Sequence, residues 1–216
     1  MKIVSLARQR GSRFLMTLDD GREYLLDRRT VEESPYQVDG EIDERELDEL
    51  IAQSERRRAR DYALYLLGLR DYGEAELRRK LRDKGYRDTA DETVAYLREL
   101  GLLNDASYAR QLARDCRLRR LFSRYRTVQE LCAHGIARET AAFAVDDVDA
   151  EEELVEWQQA LALLHKKRYN APDDPAARQR GDQLLLRYGY SRDAARAAWQ
   201  ALEDAALYGG DEESSF

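Results

Sequence analysis

Leu81-Arg82-Asp83-Lys84-Gly85-Tyr86, Leu131-Cys132-Ala133-His134-Gly135-Ile136 and Leu185-Leu186-Arg187-Tyr188-Gly189-Tyr190 share one pattern: a leucine, three residues, a glycine and a bulky apolar residue. Such a leucine closes a helix, and the glycine lets the chain leave through a left-handed turn without a Cβ clash. The glycines lie 50 and 54 residues apart. An aromatic stands ahead of each near a helix start, at Tyr62, Tyr108 and Trp157, with separations of 23, 27 and 32 residues. A period near 50 made of helix, short helix, glycine and helix predicts three stacked helical units.

Working outward, Asp43 reads as an N-cap, with Glu44 and Glu46 in the first turn where the helix dipole favours carboxylates. Ala59, Tyr62, Ala63, Leu66 and Leu69 then recur at three- and four-residue steps and predict one apolar stripe. Leu77 and Leu81 make the next stripe, ending at Gly85. Thr89-Ala90-Asp91-Glu92 has the capping-box pattern and opens a helix through Val94, Leu97 and Leu100, closed by Gly101. Pro172 and Pro175 predict an exposed loop over 168–182. The acidic, glycine-led tail from Gly209 to Phe216 is expected to be disordered.

Before Asp43 the period is two. Phe14, Met16 and Leu18 fall on one side of an extended run, Asp20-Gly21 supplies hairpin turn chemistry, and Tyr24 and Leu26 share a face of the return strand. With Ile3 to Leu6 this predicts a small antiparallel sheet of two or three strands that packs on something else. The fold class expected is mostly α: three tandem three-helix, helix-turn-helix-like repeats behind a small N-terminal antiparallel β-sheet. The divisions are 1–42 for the sheet, 43–103 for the first repeat with its leading helix, 104–148 for the second repeat, 149–207 for the third and 208–216 for the tail. Repeats of this kind are stabilised mainly by neighbours, so truncation after residue 148 is expected to leave two folded units.

Composition agrees with a helical chain. Of its 216 residues 37% are charged, against about a quarter in an average globular protein. Only three are proline, which disfavours a loop-rich β fold. No apolar run approaches the ~20 residues that cross a bilayer, and two cysteines imply no disulfide scaffold, so the cytoplasm is the expected location. The net charge of −7 excludes indiscriminate coating of nucleic acid, but its distribution is uneven: residues 1–54 sum to −5, 55–148 to +4 and 149–216 to −6. Within the middle, Arg110, Arg114, Arg117, Arg119, Arg120, Arg124 and Arg126 face Asp115 alone, a local +6.

The residues for catalysis are sparse. Cys116, Cys132 and His134 match no familiar zinc spacing, and no metal or cofactor is expected. Asp146, Asp147, Asp149 and Glu151 to Glu153 are the densest carboxylates, and Asp149 reads as the cap of a helix whose first turn holds the three glutamates. Walker, dinucleotide and nucleophile-elbow motifs are absent, so no enzyme is expected. The arginine cluster is the feature with a functional reading, as a surface for a polyanion or acidic partner. Tyr108 and Tyr125 beside it are candidates for stacking on bases. The plain alternative is a solvated helix face in a chain with 31 arginines.

Ala63-Leu64-Tyr65-Leu66-Leu67-Gly68-Leu69-Arg70, Glu74-Ala75-Glu76-Leu77-Arg78-Arg79-Lys80-Leu81, and Leu97-Arg98-Glu99-Leu100-Gly101-Leu102-Leu103-Asn104-Asp105 followed by Tyr108-Ala109 resemble the signature of the RecX family, regulators of bacterial RecA recombinase. Glu130-Leu131 and Gly135-Ile136 are similar to the family pattern that follows, and Gly73 stands where the family has Ser or Thr. The resemblance implies three tandem three-helix repeats and binding along RecA–single-stranded-DNA filaments to limit their growth and activity, and a monomer is expected. Single-stranded DNA contact is implied to be weak or dependent on the filament. Arg78, Arg79 and Arg82 join the seven clustered arginines as candidate binding residues for recombinase or DNA. Two other readings remain open: a helix-turn-helix DNA-binding regulator, which needs a base-reading helix, and a scaffold that binds only protein.

Overall fold

The computed structural model describes residues 1–169 and 174–208, and the chain divides into two compact units, Met1–Leu103 and Asn104 onward. The predicted tail from Gly209 lies outside the described residues, as does Pro172.

In the first unit β1 (Ile3–Gln9), β2 (Arg13–Leu18) and β3 (Glu23–Asp27) form an antiparallel sheet in the order β1-β2-β3. Met16 pairs with Leu6 and Tyr24, and Phe14 with Leu26, so the predicted apolar residues share one face. Asp20-Gly21 turns between β2 and β3, Gly21 taking φ of +84°. The covering element is twofold. A short helix, α1 (Arg28–Glu32), is capped by Asp27, whose carboxylate accepts from the Thr30 N–H at 3.1 Å. The first half of α2 (Glu44–Leu69) then lays Leu47 and Leu50 on Ile3, Met16, Leu18 and Leu26.

Asp43 and Glu46 close the predicted N-terminus of α2 as a reciprocal capping box, at 2.8 and 3.0 Å. The second half of α2 packs with α3 (Glu74–Asp83) and α4 (Ala90–Glu99) around Ala59, Ala63, Leu66, Leu77, Leu81, Val94 and Leu97. Burying each of the larger side chains is worth about 1.5–3 kcal/mol, which places the weight of this bundle on its leucines. Two stripe ends depart from expectation: Leu69 and Leu100 are exposed, because α2 and α4 stop at those points. Thr89 also departs. It precedes α4, but its backbone is already helical and its buried hydroxyl makes no cap hydrogen bond.

The second unit holds α5 (Asp105–Arg114), a π turn over Asp115–Arg119, α6 (Arg124–Ala133), α7 (Arg138–Glu151), α8 (Glu156–Lys166), α9 (Pro175–Arg187) and α10 (Arg192–Tyr208). Helices α5 to α7 enclose Tyr108, Ala109, Ala113, Leu131, Ile136, Val145 and Val148. Helices α8 to α10 enclose Leu163, Leu164, Leu185, Tyr190, Ala198 and Trp199. The three glycine exits are alike: Tyr86, Ile136 and Tyr190 each donate back to the leucine five residues earlier, at 2.9, 3.1 and 3.0 Å, across a positive-φ glycine. These are the Schellman closures that the repeated pattern predicts.

The expected loop over 168–182 is corrected. Asp174 caps α9, and Pro175 occupies its first turn, where the missing N–H costs nothing. Gly181 lies inside α9, where the Trp199 ring packs too close to leave room for a Cβ. Pro175, which read as loop, is thus a helix start. Asp149 is corrected too: it lies in the last turns of α7, and α8 starts only at Glu156.

Candidate functional site

The seven arginines from Arg110 to Arg126 are split by their partners. Arg110 meets Asp147 at 2.9 Å and Glu151 at 2.8 Å, and Arg114 meets Glu151 at 3.3 Å and Glu152. Arg124 meets Asp146 at 2.7 Å. Arg117 is fully buried, with Asp149 at 2.6 Å, Glu156 at 3.1 Å and the Phe122 carbonyl at 2.6 Å. Four guanidiniums therefore meet six carboxylates, and this half of the cluster is a strut rather than a free cationic surface. Carboxylates at the C-terminal end of a helix oppose its dipole, so the acidic end of α7 needs these cations. The hydrogen bond from Arg110, with Arg114 beside it, holds the Glu151 carboxyl below its ordinary pKa. Arg117 is corrected as a surface contact: its head group is spent inside the fold.

The other three arginines pair with carboxylates nearer in the chain, and of them only Arg119 is more exposed than Arg110, Arg114 and Arg124. Arg120 pairs with Asp115 at 2.9 Å and Glu130 at 3.3 Å, Arg126 with Glu130 at 3.6 Å, and the highly exposed Arg119 only distantly with Asp115, at 3.7 Å. Arg119 and Arg120 border a cleft of about 330 Å³ that is also lined by Phe122, Leu163, Lys166, Lys167 and Tyr188. Lys166 donates to the Arg119 carbonyl at 2.7 Å, which fixes its ammonium at the rim. Sequence reasoning missed Lys166, Lys167, Phe122 and Tyr188. The signal available was the Lys166-Lys167 pair in a chain with five lysines.

In the first unit Arg78 and Arg82 both bind Asp91, at 2.6 and 2.8 Å, and hold its carboxyl below the ordinary range, Arg82 contributing most. Arg79 is exposed and makes no ion pair among the described residues. Tyr108 is corrected as a stacking residue: it is buried, with its hydroxyl 3.2 Å from His134 Nδ1. Tyr125 is exposed, its hydroxyl accepting from Gln129 at 2.7 Å. Cys116 is buried and Cys132 exposed. Among the described residues no group of His, Cys, Asp and Glu is arranged to hold a metal, and no helix is long and apolar enough to cross a membrane.

Known proteins carry the same pattern. The family model of the first three-helix domain of RecX matches residues 59–97, and that of the second matches 104–145. Regulatory protein RecX of Stenotrophomonas maltophilia is 34% identical over 139 residues, spanning 63% of this chain and 82% of that protein. The chain belongs to the RecX family. A RecX regulatory protein of Clostridium perfringens is 28% identical over 200 residues, covering 89% of this RecX chain and 92% of its own length. A crystal structure of regulatory protein RecX superposes with a TM-score of 0.63 at 20% identity, over 94% of this chain and 98% of that one. RecX from Lactobacillus salivarius gives 0.56 at 22% identity, over 70% and 98%. These two structures share the fold of this RecX chain, including helices beyond the two matched domains.

Proposed function

We propose that this chain is a non-enzymatic cytoplasmic regulator, acting as a monomer without cofactor, that binds RecA–single-stranded-DNA filaments and inhibits their growth and activity. The observation that carries this reading is membership of a family of regulatory proteins, matched over both of the first two repeats. Arg119, the most exposed of the cluster and only distantly paired, Arg120 and Arg126 beside it, and Arg79 of the first unit, unpaired among the described residues, are the binding residues of this reading, and their guanidiniums suit phosphates or recombinase carboxylates.

The test compares binding to bare duplex, bare single strand and recombinase-coated single strand, together with recombinase ATP hydrolysis and strand exchange. The expected result is strongest binding to the coated strand and inhibition of both activities. Preference for bare duplex identifies a helix-turn-helix DNA regulator instead. Binding to recombinase that ignores the filament identifies a protein-only scaffold.

A further inference from the structure

The cleft between the second and third repeats combines four features. Arg119, Arg120, Lys166 and Lys167 border it, and no carboxylate lines it. Lys167 is exposed and has no ion pair among the described residues. Its apolar wall is Phe122 against Tyr188, ring centres 5.4 Å apart and edge to face, above buried Leu163. Its volume of about 330 Å³ falls at the lower end of the range of sites that take small ligands, about 300–1,000 Å³.

The backbone beneath it is irregular in two places. The α5 helix passes into a π turn over Asp115–Arg119, closed by the Arg120 N–H on the Asp115 carbonyl at 3.1 Å. Leu121 then takes φ of +56°, a conformation that bulky residues avoid at a cost of about 1–2 kcal/mol. The surroundings hold it there. Its side chain enters the third-repeat core, and its carbonyl accepts the Tyr190 hydroxyl at 2.8 Å. Together these distortions bring Arg119 and Arg120 onto the rim and Phe122 onto the wall. π turns and left-handed bulky residues cluster at functional sites.

We infer that this cleft binds an unstacked nucleotide of single-stranded nucleic acid, the four cations meeting backbone phosphate and the Tyr188–Phe122 wall meeting the base. An acidic peptide would use the cations but not the rings. A duplex would present phosphates but keep its bases stacked and out of reach, whereas single strands splay theirs onto aromatic walls. The inference deepens the filament reading and rests on it for its setting, since a RecA filament holds a single strand. The contact itself is a property of this chain alone and is testable without recombinase.

The probe is a fluorescein-labelled oligothymidylate of twenty nucleotides, titrated with the full chain by anisotropy across a salt series. Arg119→Gln with Lys167→Gln should weaken binding about tenfold and flatten the salt slope by about 1.4, at roughly 0.7 per lost phosphate contact. Tyr188→Leu should weaken it at least about fivefold with the slope unchanged, and Tyr188→Phe should restore it, because a stacked base contributes a factor of about five to a hundred. Arg192→Gln with Arg196→Gln, removing the same charge on exposed positions of α10, is the control and should change little. Circular dichroism confirms folding of each. No binding by the wild type, an unaffected cleft double, or equal losses from the control pair overturns the inference. If wild-type binding is insensitive to the cleft variants yet recombinase filaments are still bound and inhibited, the inference fails and the filament reading stands. If the cleft variants behave as expected but recombinase-coated strand is not preferred, the filament reading fails and the nucleotide site stands.

Discussion

Arg117 lays one edge of its guanidinium along the Asp149 carboxylate, Nε at 2.6 Å and Nη2 at 3.1 Å, with none of its side chain exposed. Nη2 also reaches Glu156 at 3.1 Å, and Glu156 accepts the Arg124 N–H with its other oxygen, also at 3.1 Å. One buried cation therefore ties the end of α5, the turn before α6, the end of α7 and the start of α8.

Removing it should be costly. Breaking a buried, hydrogen-bonded ion pair costs about 3–5 kcal/mol, mostly because the partner is left charged and dry. Arg117→Met is expected to lose about 3 kcal/mol in urea unfolding. Arg117→Met combined with Asp149→Leu should recover part of that, since a packed apolar pair of similar volume can replace a buried ionic one. A loss below about 1 kcal/mol for the single change would show that Arg117 is not the strut.

This residue also marks what was and was not legible in the sequence. The glycine exits at Gly85, Gly135 and Gly189 depend on local chemistry, so the repeat could be read from a leucine and a glycine four apart. The sheet register was legible for the same reason, through Phe14, Met16, Leu18 and the Asp20-Gly21 turn. The site was harder. Charge counting gives Arg110 to Arg126 a local +6, but the carboxylates that neutralise Arg110, Arg114, Arg117 and Arg124 lie between 20 and 45 residues further along the chain, at the end of α7 and on α8. Ion pairing across that distance has no sequence period. The Lys166–Lys167 contribution to the cleft is hidden likewise, because only tertiary packing brings the end of α8 to the π turn.

Gly189 and Gly85 separate backbone strain from inter-repeat packing. Both have positive φ, +88° and +105°. A Cβ on Gly85 meets nothing, but one on Gly189 meets the Ser123 hydroxyl at 2.5 Å and the Arg126 N at 3.2 Å, where α6 begins. Gly85→Ala should cost about 1–2 kcal/mol from the left-handed backbone alone. Gly189→Ala should cost at least about 1 kcal/mol more, as overpacking adds to that strain. Equal thermal shifts for the two variants would deny the close approach.

The two thiols should react very differently. Burial pushes the Cys116 thiol up to about 11, while Cys132 is exposed. At pH 8 only about one Cys116 in a thousand is thiolate, the form that reacts. A thiol-specific disulfide reagent should therefore titrate one group per folded chain and two after denaturation. Because folding raises this pKa, the neutral thiol's contribution to stability is present below the ordinary thiol range and is lost as pH climbs toward 11. Two fast-reacting thiols in the folded chain would contradict the buried position.

Chain cuts test where the folding units end. Repeats stabilised only by neighbours should survive truncation after residue 148 as two folded bundles. The structure gives the second repeat further debts to the third. Leu121 sits in the third-repeat core, Tyr190 binds its carbonyl, and the Tyr188 carbonyl accepts the Ser123 N–H at 3.0 Å. Truncation after Val148 removes Asp149 and Glu156 together, so both ion pairs of the buried Arg117 are lost, at a cost of several kcal/mol. That is a large part of the 5–15 kcal/mol that holds a typical domain folded. A cut after Leu103 breaks none of these. Fragments 1–103 and 104–216 should each melt cooperatively by circular dichroism, whereas fragment 1–148 should show little more helix than 1–103. A 1–148 fragment with a second, cooperative helical transition would return the second repeat to the status of a self-sufficient unit and reduce the Arg117 cluster to a late-forming tie.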